Sequence, residues 1–176
     1  MKTLIASLVR RMPHALIAVF TLVLLAACTS APPPAPPPPP APQQKSLANK
    51  LADLGFEKTD EGYVLNLPGP LLFETGSDVL SDNAKGVIAK LATDLHALEI
   101  KKLRLFGHTD NVGTAEFNRV LSTKRAEAVA QTVGLHGFSL DNLERRGFGF
   151  DRPLVGNDTP EGRAKNRRVA VIVPFE

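Results

Sequence analysis

Asp110, Asn118 and Arg125 are the residues whose types and spacing could do chemistry together. Asp110 falls just past a strand-like run, and Asn118 and Arg125 belong to the helix-like stretch that follows. Asn118, Leu121 and Arg125 are offset by three and then four positions, so on a helix they line one face. That face begins near a helix N-terminus, whose free N–H groups favour anions. Loops just past the carboxyl ends of strands carry ligands in α/β sheets. One turn therefore brings a carboxylate, a guanidinium and amide donors toward a single concavity. A small zwitterion suits that set, its ammonium against Asp110 and its carboxylate on the Arg125 fork. The bland alternative is that Asp110 and Arg125 simply pair with each other to stabilise the fold.

The elements that must position these residues are visible in the hydrophobic periodicity. Lys102 to Phe106 alternates as a strand and ends at Gly107. A long helix is expected from about Ala115 to Leu135, stacking Phe117, Leu121, Ala128 and Val129, with Gly134 and Gly137 marking its end. Upstream, Ser81 can cap another long helix and Asp82 suits its dipole. Leu80, Ala84, Val87, Ile88, Leu91, Leu95 and Leu98 follow helical spacing there. Leu47, Leu51 and Leu54 predict a short helix stopping at Gly55, and Tyr63 to Leu67 a strand closed by Pro68 and Pro70. Leu71, Leu72 and Phe73 form a second apolar patch. Leu143 to Phe148 reads as a short strand, Asp158 to Lys165 as a helical turn, and Val169 to Val173 as a buried strand. The expected fold class is α/β, an α+β two-layer sandwich with a mixed sheet of about four strands packed by two long helices. The first helix-bearing crossover favours parallel pairing of its strands.

The chain has 176 residues and a formal charge of +3. Lys2, Arg10 and Arg11 supply all of that excess, because residues 28–176 hold 18 basic and 18 acidic groups. A neutral remainder makes bulk attraction to nucleic acid a poor hypothesis. The basic cluster Arg163, Lys165, Arg167 and Arg168 has Asp158 and Glu161 beside it and reads as a solvated or loop-pinning face. With 1 cysteine there is no intrachain disulfide and no Cys/His zinc pattern. His96, His108 and His136 lack metal-ligand spacing. No nucleophile motif, metalloprotease motif or phosphate loop is present. No metal or cofactor is expected, and a binding protein is expected rather than an enzyme.

Residues 1–27 combine a basic start with the apolar run Ala15 to Ala27, whose roughly 20 Å as a helix is short of a bilayer's core of about 30 Å. That pattern is a secretory signal peptide. Leu25-Ala26-Ala27-Cys28 resembles the lipobox of bacterial lipoproteins. The resemblance implies cleavage before Cys28, acylation of its thiol, and anchorage in lipid without spanning it. Thr29 follows, not the Asp that resembles an inner-membrane retention signal, which favours the outer membrane with the domain in the periplasm. Residues 28–44 make an acylated Cys and a spacer, since nine of the 15 prolines lie between Pro32 and Pro42. Eleven residues of polyproline II reach roughly 34 Å. Residues 45–61 are read as a short helix and lead-in, and 62–176 as the domain.

Five stretches then carry a family likeness. They are Phe73, Gly76-Ser77 and Leu80; Gly107-His-Thr-Asp-Asn-Val-Gly113; Asn118-Arg-Val-Leu-Ser-Thr-Lys-Arg-Ala126; Gly147-Phe-Gly149 with Pro153; and Asn157-Asp-Thr with Gly162-Arg-Ala-Lys-Asn-Arg-Arg-Val169. Together they resemble the OmpA-like peptidoglycan-binding domain. The resemblance implies non-covalent binding of the free end of diaminopimelate in the peptidoglycan stem peptide. It maps that family's aspartate and arginine onto Asp110 and Arg125, with Thr109, Asn118 and Leu121 shaping the pocket. Of the arginines closing the last motif it implies one assistant, and strand alternation lets only one face the site, for which Arg168 is chosen. The partners implied are peptidoglycan, outer-membrane lipid through Cys28 and other envelope proteins. The alternative function is a Pal-like interaction module whose main partner is a periplasmic protein.

Overall fold

The computed structural model describes residues 45–74 and 76–175. The signal peptide, Cys28 and the spacer lie outside the described residues. A compact unit runs from Gln43 to Glu176.

Local chemistry starts and stops the helices largely where sequence expects. The hydroxyl of Ser46 accepts from the Asn49 N–H to cap α1, Leu47–Asp53, and Gly55 turns the chain at φ 87°. Ser81 caps α3, Asp82–Ala97, by accepting from the Ala84 N–H at 3.1 Å. Thr114 caps α4, Ala115–Gly134, by accepting from the Phe117 N–H at 3.2 Å. Between α1 and α3 lie β1, Glu57–Thr59, β2, Gly62–Pro68, and α2, Gly69–Leu72. The expected break at Pro68–Pro70 is thus a single helical turn, with Pro70 in its first positions where the missing N–H costs nothing. After α3 come β3, Leu103–His108, then α4, a 3-10 turn at Leu140–Asn142, β4, Leu143–Gly147, α5, Pro160–Asn166, and β5, Arg168–Val173.

The sheet has five strands in the order β1-β2-β5-β3-β4. β3 and β4, joined by α4, pair in parallel, while β5 runs antiparallel to both β2 and β3. β2 and β3 therefore point the same way, as their crossover favours, yet they do not pair, because β5 lies between them. β5 is buried at all six positions, which its Val-rich run fits. The strand missing from the four-strand expectation is β1. All three of its residues are exposed, so it carries no hydrophobic alternation. It nonetheless makes residues 45–61 part of the domain, with Leu51 and Phe56 in the core.

One face of the sheet presents Leu67, Leu103, Leu105, Val169 and Val171 to Ile88 and Leu95 of α3 and Val129 and Val133 of α4. The opposite face carries a smaller cluster of Phe106, Phe148, Ala170 and Ile172. On α4 the buried stripe is Leu121, Ser122, Arg125, Ala126, Val129, Ala130 and Val133. Phe117 lies off it and is exposed, correcting the expected stack. A glycine seam sets how close α4 approaches. Gly107 and Gly147 are register partners on β3 and β4. A Cβ on Gly107 would collide with the Ser122 carbonyl oxygen, and one on Gly147 with Thr123 and Ser122. That seam holds the first half of α4 against the carboxyl ends of the parallel strands.

Candidate ligand-binding site

Asp110 lies two residues past the end of β3 and is 8% exposed. Its Oδ1 accepts from the Val112 N–H at 3.1 Å, fixing the carboxylate at the start of the loop. Asn118 secures the rest of that loop, its Nδ2 donating to the Val112 and Thr114 carbonyls at 2.8 and 3.1 Å. Asn118 is 2% exposed, so its work is to hold the loop, one step back from any ligand. Thr109 is tied down by its N–H to the Gly149 carbonyl at 2.8 Å, and its buried Oγ1 has no partner among the described residues. Leu121 is 9% exposed and packs one turn before Arg125.

Arg125 comes off the buried stripe of α4 and is 3% exposed. Its Nε donates to the Ser77 carbonyl at 2.9 Å, and its guanidinium carbon lies 5.0 Å from the Phe73 ring centroid. Neither Nη group donates to a described residue. Burial lowers the Arg125 pKa, the charge of Arg167 adds to that, and Asp110 and Asp78 pull the other way. At neutral pH it stays a cation.

Asp110 and Arg125 do not form an ion pair with each other: no guanidinium nitrogen comes within 4.0 Å of a carboxylate oxygen. Asp110 Oδ2 instead accepts from Arg167 Nη1 at 2.6 Å. Arg167 and Arg125 together line a cavity of about 520 Å³ whose other walls include Pro70, Leu71, Phe73, Glu74 and Ser81. Asp110 meets this cavity only through Arg167. The Gly69 N–H donates to the Arg167 carbonyl at 2.6 Å, so α2 forms the wall beside it.

The structure brings Arg167 to Asp110, and not Arg168, the arginine chosen from the sequence. α5 ends on Asn166, which is fully buried and clasps the preceding loop through Leu154, Val155 and Asn157. Arg167 caps the helix with φ −70° and ψ 95° and swings toward Asp110 before the strand begins. Arg168 is the first residue of β5 and points to the opposite face of the sheet, donating to Asn66 Oδ1 at 3.1 Å. Strand alternation separates the two arginines correctly but does not say which one the helix exit delivers. The α2 wall is a further part of the site that sequence reasoning missed, although Phe73 and Ser77 stand in the family motif.

The mixed-sheet domain thus gathers two guanidiniums and a carboxylate past the end of its parallel strand pair, an arrangement with the charges to hold a small charged group. Comparison with known proteins makes the class specific. The model of the OmpA family matches residues 72–167, and the chain belongs to that family. The outer-membrane lipoprotein YfiB of Pseudomonas aeruginosa is 41% identical over 138 residues, spanning 77% of this chain and 82% of that one. The peptidoglycan-binding protein ArfA of Mycobacterium tuberculosis is 35% identical over 105 residues, spanning 60% of this chain and 32% of its own. Among solved structures, the cell wall anchor of the type VI secretion system of Pseudomonas aeruginosa superposes with a TM-score of 0.59 at 29% identity, covering 74% of this chain and 98% of that one. The protein is an outer-membrane lipoprotein of the cell envelope, with its OmpA-like domain in the periplasm.

Proposed function

We propose that the protein is a tether without catalytic activity. Its domain grips peptidoglycan non-covalently through the cavity at Arg125 and Arg167, and acyl chains on Cys28 hold its other end in the outer membrane. The zwitterionic end of diaminopimelate in the stem peptide is the group bound. Arg125 carries this reading. It is a buried cation, aimed by Ser77, whose Nη edge has no described protein partner and faces a cavity large enough for an amino-acid end. The ArfA relative is named for binding peptidoglycan and the solved neighbour for anchoring to the cell wall, which supports peptidoglycan as the source of that group.

In this reading Arg167 is displaced by the ligand. Its side chain is 30% exposed and can swing to solvent, while Asp110, at 11%, needs the ligand ammonium to replace the charge it loses. The ligand ammonium then takes Asp110 Oδ2, while its carboxylate bridges the Arg125 fork and the released Arg167. Asp110 Oδ1 stays on the Val112 N–H throughout, keeping the carboxylate in place.

The test is a pull-down with purified sacculi containing diaminopimelate. Asp110→Ala and Arg125→Ala are each expected to weaken binding at least tenfold, ~1.4 kcal/mol. Free diaminopimelate should compete and 1,5-diaminopentane, which has the same chain and amines but no carboxylates, should not. Unchanged capture of both variants would overturn the site, and equal competition by the diamine would overturn the choice of ligand.

A further inference from the structure

The face of the sheet away from the helices holds a second cluster that peptidoglycan binding does not use. Register places His108 of β3 beside Arg168 of β5, and Phe106 beside Ala170, with Asn66 and Val64 of β2 on the far side of β5. These residues, with Arg152 from the loop after β4, line a cavity of about 350 Å³.

Its charged end is incompletely satisfied from within. Arg168 is 7% exposed, and its guanidinium donates to Asn66 Oδ1, the Asn166 carbonyl and the Arg152 carbonyl at 3.1, 3.3 and 3.2 Å. Those bonds use three of its roughly five donors and bring no negative charge. Among the described residues no carboxylate lies within 4.0 Å of it. His108 is 4% exposed, and its Nδ1 has no hydrogen-bond partner among the described residues. Its ring stacks on Phe148 at 5.5 Å, and the Arg152 guanidinium lies 4.0 Å from the centroid of that same ring. Arg152 also touches Glu61 at 3.7 Å, a long contact between half-exposed groups. A buried guanidinium without a counter-ion beside a buried, unpartnered imidazole is costly to keep unless something completes it.

The other walls say what kind of group fits. Val64, Phe106, Ala170 and Ile172 give the cavity an apolar floor beside the cationic end, and Glu57 and Glu61 of the β1–β2 hairpin also line it. An inorganic anion would satisfy the charge and leave that floor bare. We propose that this cavity is a second binding site, for a small carboxylate with an apolar body, its carboxylate between Arg168 and Arg152 beside His108 and its body on Phe106 and Ile172. The site is separated from the peptidoglycan cavity by the sheet itself, since Arg167 and Arg168 leave on opposite faces. Two sources share this chemistry, the carboxyl terminus of a peptide and a free short-chain acid.

The experiment is calorimetric titration of the full chain in detergent with four probes: N-acetyl-L-phenylalanine, its carboxamide, butyrate and inorganic phosphate. Imidazole nitrogen resonances of His108 are followed alongside. The carboxylates are expected to bind and shift the His108 resonances, with the amide at least tenfold weaker and phosphate no tighter than the amide. The stronger of N-acetyl-L-phenylalanine and butyrate identifies the source. Arg152→Ala, half-exposed and free to fold, should weaken the carboxylate at least fivefold, and Arg168→Gln should abolish binding with sacculus capture intact. Equal binding of acid and amide, tighter binding of phosphate, or no effect of Arg152→Ala would each overturn the proposal. So would an unshifted His108 at saturating carboxylate. If Arg168→Gln fails to fold, the acid–amide comparison on the native chain and Arg152→Ala still decide.

Discussion

At Arg125 the geometry distinguishes a fork from a point charge. Its Nε is committed to the Ser77 carbonyl, and the opposite edge is what remains for a ligand. Lysine keeps the charge but cannot serve both partners at once. Arg125→Lys is therefore expected to lose at least tenfold in sacculus binding while its urea midpoint moves little, and near-native capture would contradict the bidentate role. His108 makes a different kind of prediction, because its effect is on stability. Burial, and after it the charges of Arg168 and Arg152, lower its pKa from 6.5 to about 3. The unfolded chain therefore binds a proton that the folded chain refuses. The stability contributed by the neutral imidazole is full above about pH 6.5 and is lost as pH falls toward 3. By pH 4 the loss is about 3 kcal/mol. His108→Phe removes this titration, so urea unfolding at pH 7 and pH 4 should show a smaller difference for the variant than for the native chain. An equal difference would show that His108 is not held neutral.

At the scale of elements, the site depends on how closely α4 lies on β3 and β4. Gly107→Ala puts a methyl group against the backbone oxygen of Ser122, an atom that cannot swing aside. It should cost about 2–3 kcal/mol and weaken sacculus binding as well, since Arg125 rides on the displaced helix. The turn after α3 offers the opposite change: Glu99 has φ 62°, which glycine tolerates better, so Glu99→Gly should stabilise by about 1 kcal/mol in thermal or urea unfolding. Sequence made some of these elements plain and hid others for physical reasons. α3 and β5 were legible because burial leaves a periodic or continuous apolar mark, as in Ile88, Leu91 and Leu95 or Val169 to Val173. Phe117 misled because one large apolar residue outweighs the small Ala126 and Ala130 that face the core. β1 left no mark because backbone pairing to β2 needs no particular side chains. The insertion of β5 between β2 and β3 is a long-range pairing that no local pattern encodes. At the site, Asp110 and Arg125 were legible through strand-end position and helix spacing, whereas Arg167 depended on the backbone angles at the end of α5.

At the scale of the whole molecule, the proposed function requires both ends to be engaged at once. The sequence from residue 28 onward has no net charge, so neither membrane nor wall attracts it in bulk, and in this proposal holding comes from two local attachments. Binding at one end raises the effective concentration at the other, provided the connecting chain spans the gap. A modest domain–peptidoglycan affinity then suffices, and the connection becomes as important as the site. Deleting Pro32 to Pro42 removes eleven residues, up to roughly 34 Å of reach, without touching Cys28 or any described element. The expected outcome is a protein that still fractionates with the outer membrane and still binds sacculi when detergent-solubilised. In intact cells its crosslinking to peptidoglycan should fall severalfold. Replacing the segment with an unrelated proline-rich sequence of equal length should restore it, because only the span matters. Cys28→Ser should separate the other end, leaving sacculus binding in solution unchanged while the protein leaves the membrane fraction. Full in vivo crosslinking by the deletion variant would show that the segment is not a spanning element. Failure of the equal-length replacement would show that its sequence, and not its length, is what the envelope reads.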